Sequence, residues 1–253
     1  MSITLKEIVD CLNTVLCPQL FKDYCPNGLQ VEGRAKVTKI ISGVTACQAL
    51  IDAAIEQQAD AILVHHGYFW RGEEAALTGM KKRRLSALLK HDISLIVYHL
   101  PLDAHATLGN NVQLAKQMNW PIKGAMPSEK EHAIGNWGEL NQPMTLTELG
   151  LQLEQVLGRT PLIIEGGNHL VNSIAWCTGA AQSMIDKALT LGVDAFISGE
   201  ISEATVHVAR ENNIHYVSAG HHATERYGVQ ALGHFLAEKF GVGHQFIDID
   251  SPV

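Results

Sequence analysis

Ala61-Ile62-Leu63-Val64-His65-His66-Gly67 decides how this chain is read. An apolar run of strand character, entered from Asp60, stops at two adjacent histidines and a glycine. The run reads as a buried strand. Side chains alternate faces along a strand, so both imidazoles can serve one site only where the strand ends and the backbone turns. Gly67 is expected to permit that turn. In open α/β sheets ligands gather at the carboxyl ends of strands, and two imidazoles there invite a metal ion. Two histidines resting in a loop are an equally good reading of this stretch alone.

Working outward, strands and helices alternate. Thr4-Leu5-Lys6-Glu7 has the pattern of a helix capping box, Leu5, Ile8, Val9, Leu12 and Leu16 follow at helical spacing, and Pro18 stops the helix. Residues 23–30 form a loop rich in turn formers, in which Tyr24, Asn27 and Gln30 offer polar tips. A strand is expected over 39–44, a helix over 46–58, an irregular insert over 68–78, a basic helix over 81–90, a strand over 93–98 and a helix over 110–118. The second half restarts the programme. Thr145-Leu146-Thr147-Glu148 opens another capping box, and the block 46–61 matches 180–195. On that register His65-His66 falls on Gly199-Glu200. A shifted register sets His99 against His221 and Asp103 against Glu225. Agreement in order over three blocks argues for an internal duplication. The expected architecture is α/β: two facing lobes, 1–124 and 125–253, joined by 121–141, with a metal site in the cleft between them. The last strand is expected at 214–219.

Composition narrows the function classes. The chain has 253 residues, 46% of them hydrophobic and 18% charged, which is the balance of a folded protein with a sizeable core. A net charge of −7 argues against general coating of nucleic acid. Five cysteines without a Cys-x-x-Cys pair suggest neither a disulfide framework nor a zinc ribbon, and fit a reduced, cytoplasmic setting. The N-terminus reads as a helix start, not a signal peptide, and no apolar run is long enough for a membrane span.

Each half ends a strand in a histidine followed four residues later by a carboxylate: His99-x-x-x-Asp103 and His221-x-x-x-Glu225. One helical turn puts positions four apart on one face. A carboxylate can bridge two cations. Three or four histidines with two carboxylates therefore suit a dinuclear site with ions roughly 3.5–4 Å apart. The mixed N/O donor set favours two divalent ions of zinc, manganese, iron or nickel over calcium. Such a pair activates water, so hydrolysis is the natural reaction class.

Val64-His65-His66-Gly67, His99-Leu100-Pro101-Leu102-Asp103, Asn27-Gly28-Leu29-Gln30 and the 220–225 stretch together resemble the Nif-three-like family, also catalogued as GTP cyclohydrolase I type 2, in its short bacterial form. The resemblance runs nearly end to end. It implies a dinuclear centre bound by His65, His66, Asp103, His221 and Glu225, in a toroidal homohexamer built as a trimer of dimers with the sites facing an inner cavity. It also implies a small-molecule substrate, a nucleotide such as GTP opened at its purine ring. His99 is expected to orient Asp103 or a metal-bound water, with a packed core histidine as the competing reading. Glu200 is a candidate general base or a structural carboxylate, and His222 a candidate proton shuttle or a solvent-facing ring. Lys81-Lys82-Arg83-Arg84, with Trp70-Arg71, could present cations to a triphosphate or to DNA, against a solvated helix face. The alternative function is a non-catalytic metal-binding ring, for metal handling or as a scaffold around DNA or a protein partner.

Overall fold

The structure, a computed structural model, describes residues 2–128 and 132–253 and is a mixed α/β fold. The joining stretch 121–141 includes three residues outside that description, and Met1 also lies outside it. By contacts the chain forms two compact units, Met1–Leu102 with Gly228–Asp250, and Asp103–Tyr227 with Ser251–Val253. The C-terminal part of the last helix, and the strand Gly243–Phe246 that pairs in parallel with Lys39–Thr45, belong to the first unit.

The first unit holds a five-stranded sheet in the order Gly243–Phe246, Lys39–Thr45, Ala61–His66, Ser94–Val97, Gly28–Val31. The first four strands run parallel and Gly28–Val31 is antiparallel to its neighbour. Ile62, Val64, Leu95 and Val97 are buried against Leu50, Ile51, Leu85 and Leu88 of the helices Gln48–Glu56 and Gly79–Lys90. Burial on both faces explains why these strands read as unbroken apolar runs.

The second unit holds a six-stranded sheet in the order Gly124–Ala125, Asn136–Met144, Val171–Cys177, Ala195–Ser198, His215–Ser218, Leu162–Ile164. Its strands Val171–Cys177, Ala195–Ser198 and His215–Ser218 are parallel and the last strand is antiparallel to them. Four strands therefore repeat the order of the first unit, register included. Ile40 lies opposite Ala61 as Ile174 lies opposite Ala195, and Ala61 opposite Ser94 as Ala195 opposite His215. Both expected capping boxes are formed, on the helices Leu5–Leu16 and Leu146–Leu157.

One carboxylate does the same work in each unit. Asp60 Oδ2 accepts from the Thr38 amide, the Thr38 hydroxyl and the Lys39 amide at 2.7, 2.6 and 3.0 Å. Asp194 Oδ2 accepts from the Asn172 amide, the Ser173 amide and the Ser173 hydroxyl at 2.9, 2.7 and 2.9 Å. Burial pushes the Asp60 carboxyl up, but the bonds from Thr38 and Lys39 and the Arg34 charge outweigh it and hold it below the usual range.

Three expectations are corrected. The last strand is Gly243–Phe246, not 214–219; its four residues are alternately exposed and carry no apolar run. The joining stretch 121–141 does more than connect the halves, because it holds the edge strand Gly124–Ala125 and the start of its neighbour Asn136–Met144. The turn-rich 23–30 segment runs into a strand at Gly28.

Two outcomes follow for stability. Asp60→Ala and Asp194→Ala should each cost on the order of 3 kcal/mol in chemical denaturation, since the first leaves four donors, Arg34 among them, and the second three without their acceptor. His244, with Nε2 2.8 Å from the Ser42 hydroxyl, is pushed down to about 4 by burial and the neighbouring His234. The unfolded chain then takes up the proton first, near pH 6.5. Stability contributed by neutral His244 is present above that pH and falls as pH drops from 6.5 towards 4. His244→Gln should flatten this acid limb in denaturation midpoints measured across that range.

Candidate metal centre

In the first unit the strand Ala61–His66 delivers His65 fully buried and His66 half-buried. Its neighbour Ser94–Val97 leads through Tyr98 to His99. His65, His66 and His99 each bring a ring nitrogen to within 4.8 Å of the others'. His65 Nδ1 lies 2.9 Å from the Tyr98 carbonyl. A carbonyl only accepts, so Nδ1 holds the proton and the neutral ring carries its lone pair at Nε2. His99 Nδ1 donates to Asp23 Oδ1 at 2.7 Å. Burial raises the Asp23 carboxyl, but His99, Asn27 and the Tyr24 amide together bring it down to about 2. Asp23 is thus an ionised acceptor that fixes the His99 tautomer as well. His66 Nδ1 meets the Thr45 hydroxyl at 3.2 Å, and a hydroxyl can serve as donor or acceptor.

Gly67 is needed for a different reason from the one expected. A Cβ there would fall 2.4 Å from both Gln30 Oε1 and Val97 Cγ2, so close approach, and not a special turn, excludes a side chain. The polar tips of Asn27 and Gln30 are engaged within the fold. Asn27 accepts from the His99 amide at 2.7 Å, and Gln30 exchanges bonds with the Tyr68 main chain at 2.8 and 3.0 Å.

In the second unit His221 opens the helix His221–Phe240. Its Nδ1 lies 2.7 Å from Glu200 Oε1 and its Nε2 3.2 Å from Glu225 Oε2, one turn along. Burial lowers the imidazole, but Glu225 and Glu200 overcome that and hold it at about 9. Glu200 therefore stands as the anchor of His221. His222 is half-buried and its amide donates to the Val253 carbonyl at 3.0 Å. Asp103 is buried in the short helix Leu100–Ala104. Its Oδ1 accepts from Asn110 Nδ2 at 2.8 Å and, at 3.5 Å, from the Thr178 hydroxyl. The strand ladder sets Tyr98 against Ala219, because their amides donate to Val64 and Ser198. His99 thus corresponds to Gly220, and His221 lies one residue beyond it.

Asp23, Asn110 and Thr178 were not singled out from the sequence as partners of the site. Asp23 lies 76 residues from His99 and Thr178 lies 75 from Asp103, with no periodic signal linking either pair. In the basic run, Lys81 is engaged: its Nζ bonds the Glu74 carbonyl at 2.9 Å, pairs with Glu73 at 3.3 Å and lies over Phe69. Among the described residues no helix is long and apolar enough to cross a membrane.

A mixed α/β protein with clustered imidazoles and carboxylates at strand ends is the class this geometry defines. Residues 3–252 match the family model described as Duf34/NIF3 (NGG1p interacting factor 3), and the chain belongs to that family. It is 52% identical over 252 residues to the GTP cyclohydrolase 1 type 2 homolog of Pseudomonas aeruginosa, covering 100% of both chains. It is 54% identical over 244 residues to the Vibrio cholerae protein of the same description, covering 96% of each. The solved structure of protein ybgI, of unknown function, superposes with a TM-score of 0.95 at 48% identity, over 99% of this chain and 100% of that one.

Gly179 tests how tightly the second donor set is built. Its φ is +69°, and a Cβ would lie 2.1 Å from Glu225 Oε1. Gly179→Ala should leave the far-ultraviolet circular dichroism spectrum unchanged while lowering zinc content, measured by mass spectrometry, several-fold.

Proposed function

We propose that His65, His66, Asp103, His221 and Glu225 together bind two divalent metal ions, and that the protein is a metal-dependent hydrolase of a small polar substrate. The observation that carries this reading is the histidine trio of the first unit. Three ring nitrogens lie within 4.8 Å of one another, and the tautomers of His65 and His99 are fixed with the lone pair at Nε2. The donor chemistry fits zinc, manganese, iron or nickel. When bound, such ions supply Lewis acidity and lower the pKa of water towards neutrality.

The chain's own residues have separable tasks in this reading. Glu200 orients His221 through Nδ1, and Asn110 and Thr178 hold one oxygen of Asp103. His99, held by Asp23 through Nδ1, stands beside His65 and His66 and is assigned the task of orienting a metal-bound water. His222 is assigned as a proton carrier between site and solvent. The description shared by the relatives supports a nucleotide substrate, and ring opening of GTP with release of formate is the reaction proposed. The repeated strand order and the matched Asp60 and Asp194 support an origin by internal duplication into two facing lobes. A cytoplasmic homohexamer assembled as a trimer of dimers completes the reading.

The full chain, loaded in turn with zinc, manganese and iron, should hold two ions. His65→Ala or Glu225→Ala should bring that below one. Formate should appear from GTP with at least one metal and fall by at least a hundredfold in Glu225→Ala. Two ions per chain without formate from any of the three would move the assignment to metal binding without catalysis.

A further inference from the structure

The insert 68–78 carries an aromatic side chain in ring contact with the site's histidines. Trp120 and Trp176 are buried against each other with ring centres 5.2 Å apart. Trp70 instead keeps part of its surface exposed while its ring lies 5.0 Å from His99, edge to face, and 6.0 Å from His66. Its position is fixed at both ends. The indole Nε1 donates to the Gly67 carbonyl at 3.1 Å, and the Trp70 amide donates to Glu73 Oε2 at 3.0 Å.

The flanking residues hold it further. The Arg71 amide donates to the Tyr24 carbonyl at 2.7 Å and Arg71 Nη2 to the Asp23 carbonyl at 3.3 Å. The Arg71 guanidinium lies 5.8 Å from the centre of the Tyr24 ring, which is 51% exposed. Just before Trp70, Phe69 sits at φ 64°, a left-handed conformation that is unfavourable for a bulky aromatic residue. Such strain persists where surrounding bonds over-determine it, and here they fix an aromatic wall beside a polar imidazole cluster.

We propose that Trp70 is the stacking surface for a flat heteroaromatic ring, and so selects ring substrates for the histidine-bearing end of the Ala61–His66 strand. A π-face beside imidazole donors suits a ligand that is itself a π-system edged with ring nitrogens and exocyclic polar groups, of which a nucleobase is the obvious kind. This deepens the hydrolase reading and rests on it.

The test uses the zinc-loaded full chain and two probes that do not chelate the metal as a triphosphate would: guanosine, and ribose without the base. Equilibrium dialysis should show guanosine bound at least tenfold more tightly than ribose. Trp70→Ala should weaken guanosine binding at least tenfold and leave ribose unchanged, whereas Trp70→Phe should stay within threefold of the parent. Zinc content should stay unchanged in both variants. Guanosine bound no better than ribose, or weakened equally by Phe and Ala, overturns the proposal. So does loss of zinc from Trp70→Ala, which would make the ring a prop for the histidines. None of these results decides the two-ion reading, which stands or falls on the zinc content of the parent chain and of His65→Ala.

Discussion

An imidazole offers a lone pair at one nitrogen only while the other keeps its proton, and the candidate centre depends on that constraint. His65 donates Nδ1–H to a main-chain carbonyl and His99 donates to an ionised carboxylate. In both rings the neutral tautomer is then settled by acceptors that cannot reverse their role. His221 is anchored at Nδ1 by Glu200, but here a second carboxylate meets Nε2, and the pair holds a proton on the ring. The two units thus prepare their histidines differently. One fixes Nδ1 as the proton-bearing nitrogen of its rings, so that Nε2 is the atom that can turn to a cation. The other offers a charged ring between two carboxylates, which must release that proton before Nε2 can bind a cation.

Much of this was legible along the chain because it is written in local pattern. The capping boxes at Thr4 and Thr145 were readable from spacing and are both formed. So were the strand ending in His65-His66 and the helix Asn110–Met118. The repeat was readable too, because Asp60 and Asp194 keep the same distance from the strands that they cap. What escaped was long-range or spatial. Asp23 sat in a stretch whose Asp, Asn and Gly content is already accounted for by turn formation, so its bond to His99 gave no separate signal. Asn110 and Thr178 are single polar residues that become partners of Asp103 only after folding. The strand Gly243–Phe246 lacks apolar alternation because it lies at the edge of its sheet, so only pairing with Lys39–Thr45 defines it.

The repeat also explains why the two units carry different side chains at matching positions. Gly43 pairs with Val64 as Cys177 pairs with Ser198, so the ladder places His65 in register with Gly199 and His66 with Glu200. A Cβ on Gly199 would stand 2.6 Å from the Gly179 carbonyl oxygen and 2.7 Å from His221 Cα. The start of the His221–Phe240 helix occupies the room that the His65 side chain takes in the other unit. A ligand at position 199 and a helix start so close to the strand end are therefore mutually exclusive. Gly220, at φ +103°, adds one residue before that helix, and the imidazole enters from His221 instead. Glu200, standing where His66 stands, is left in reach of that new ring and holds it. An imidazole on the strand at 65 and one on the helix at 221 answer to one steric difference between the units, and Gly179 and Gly199 are the positions where the second unit leaves no space for a side chain.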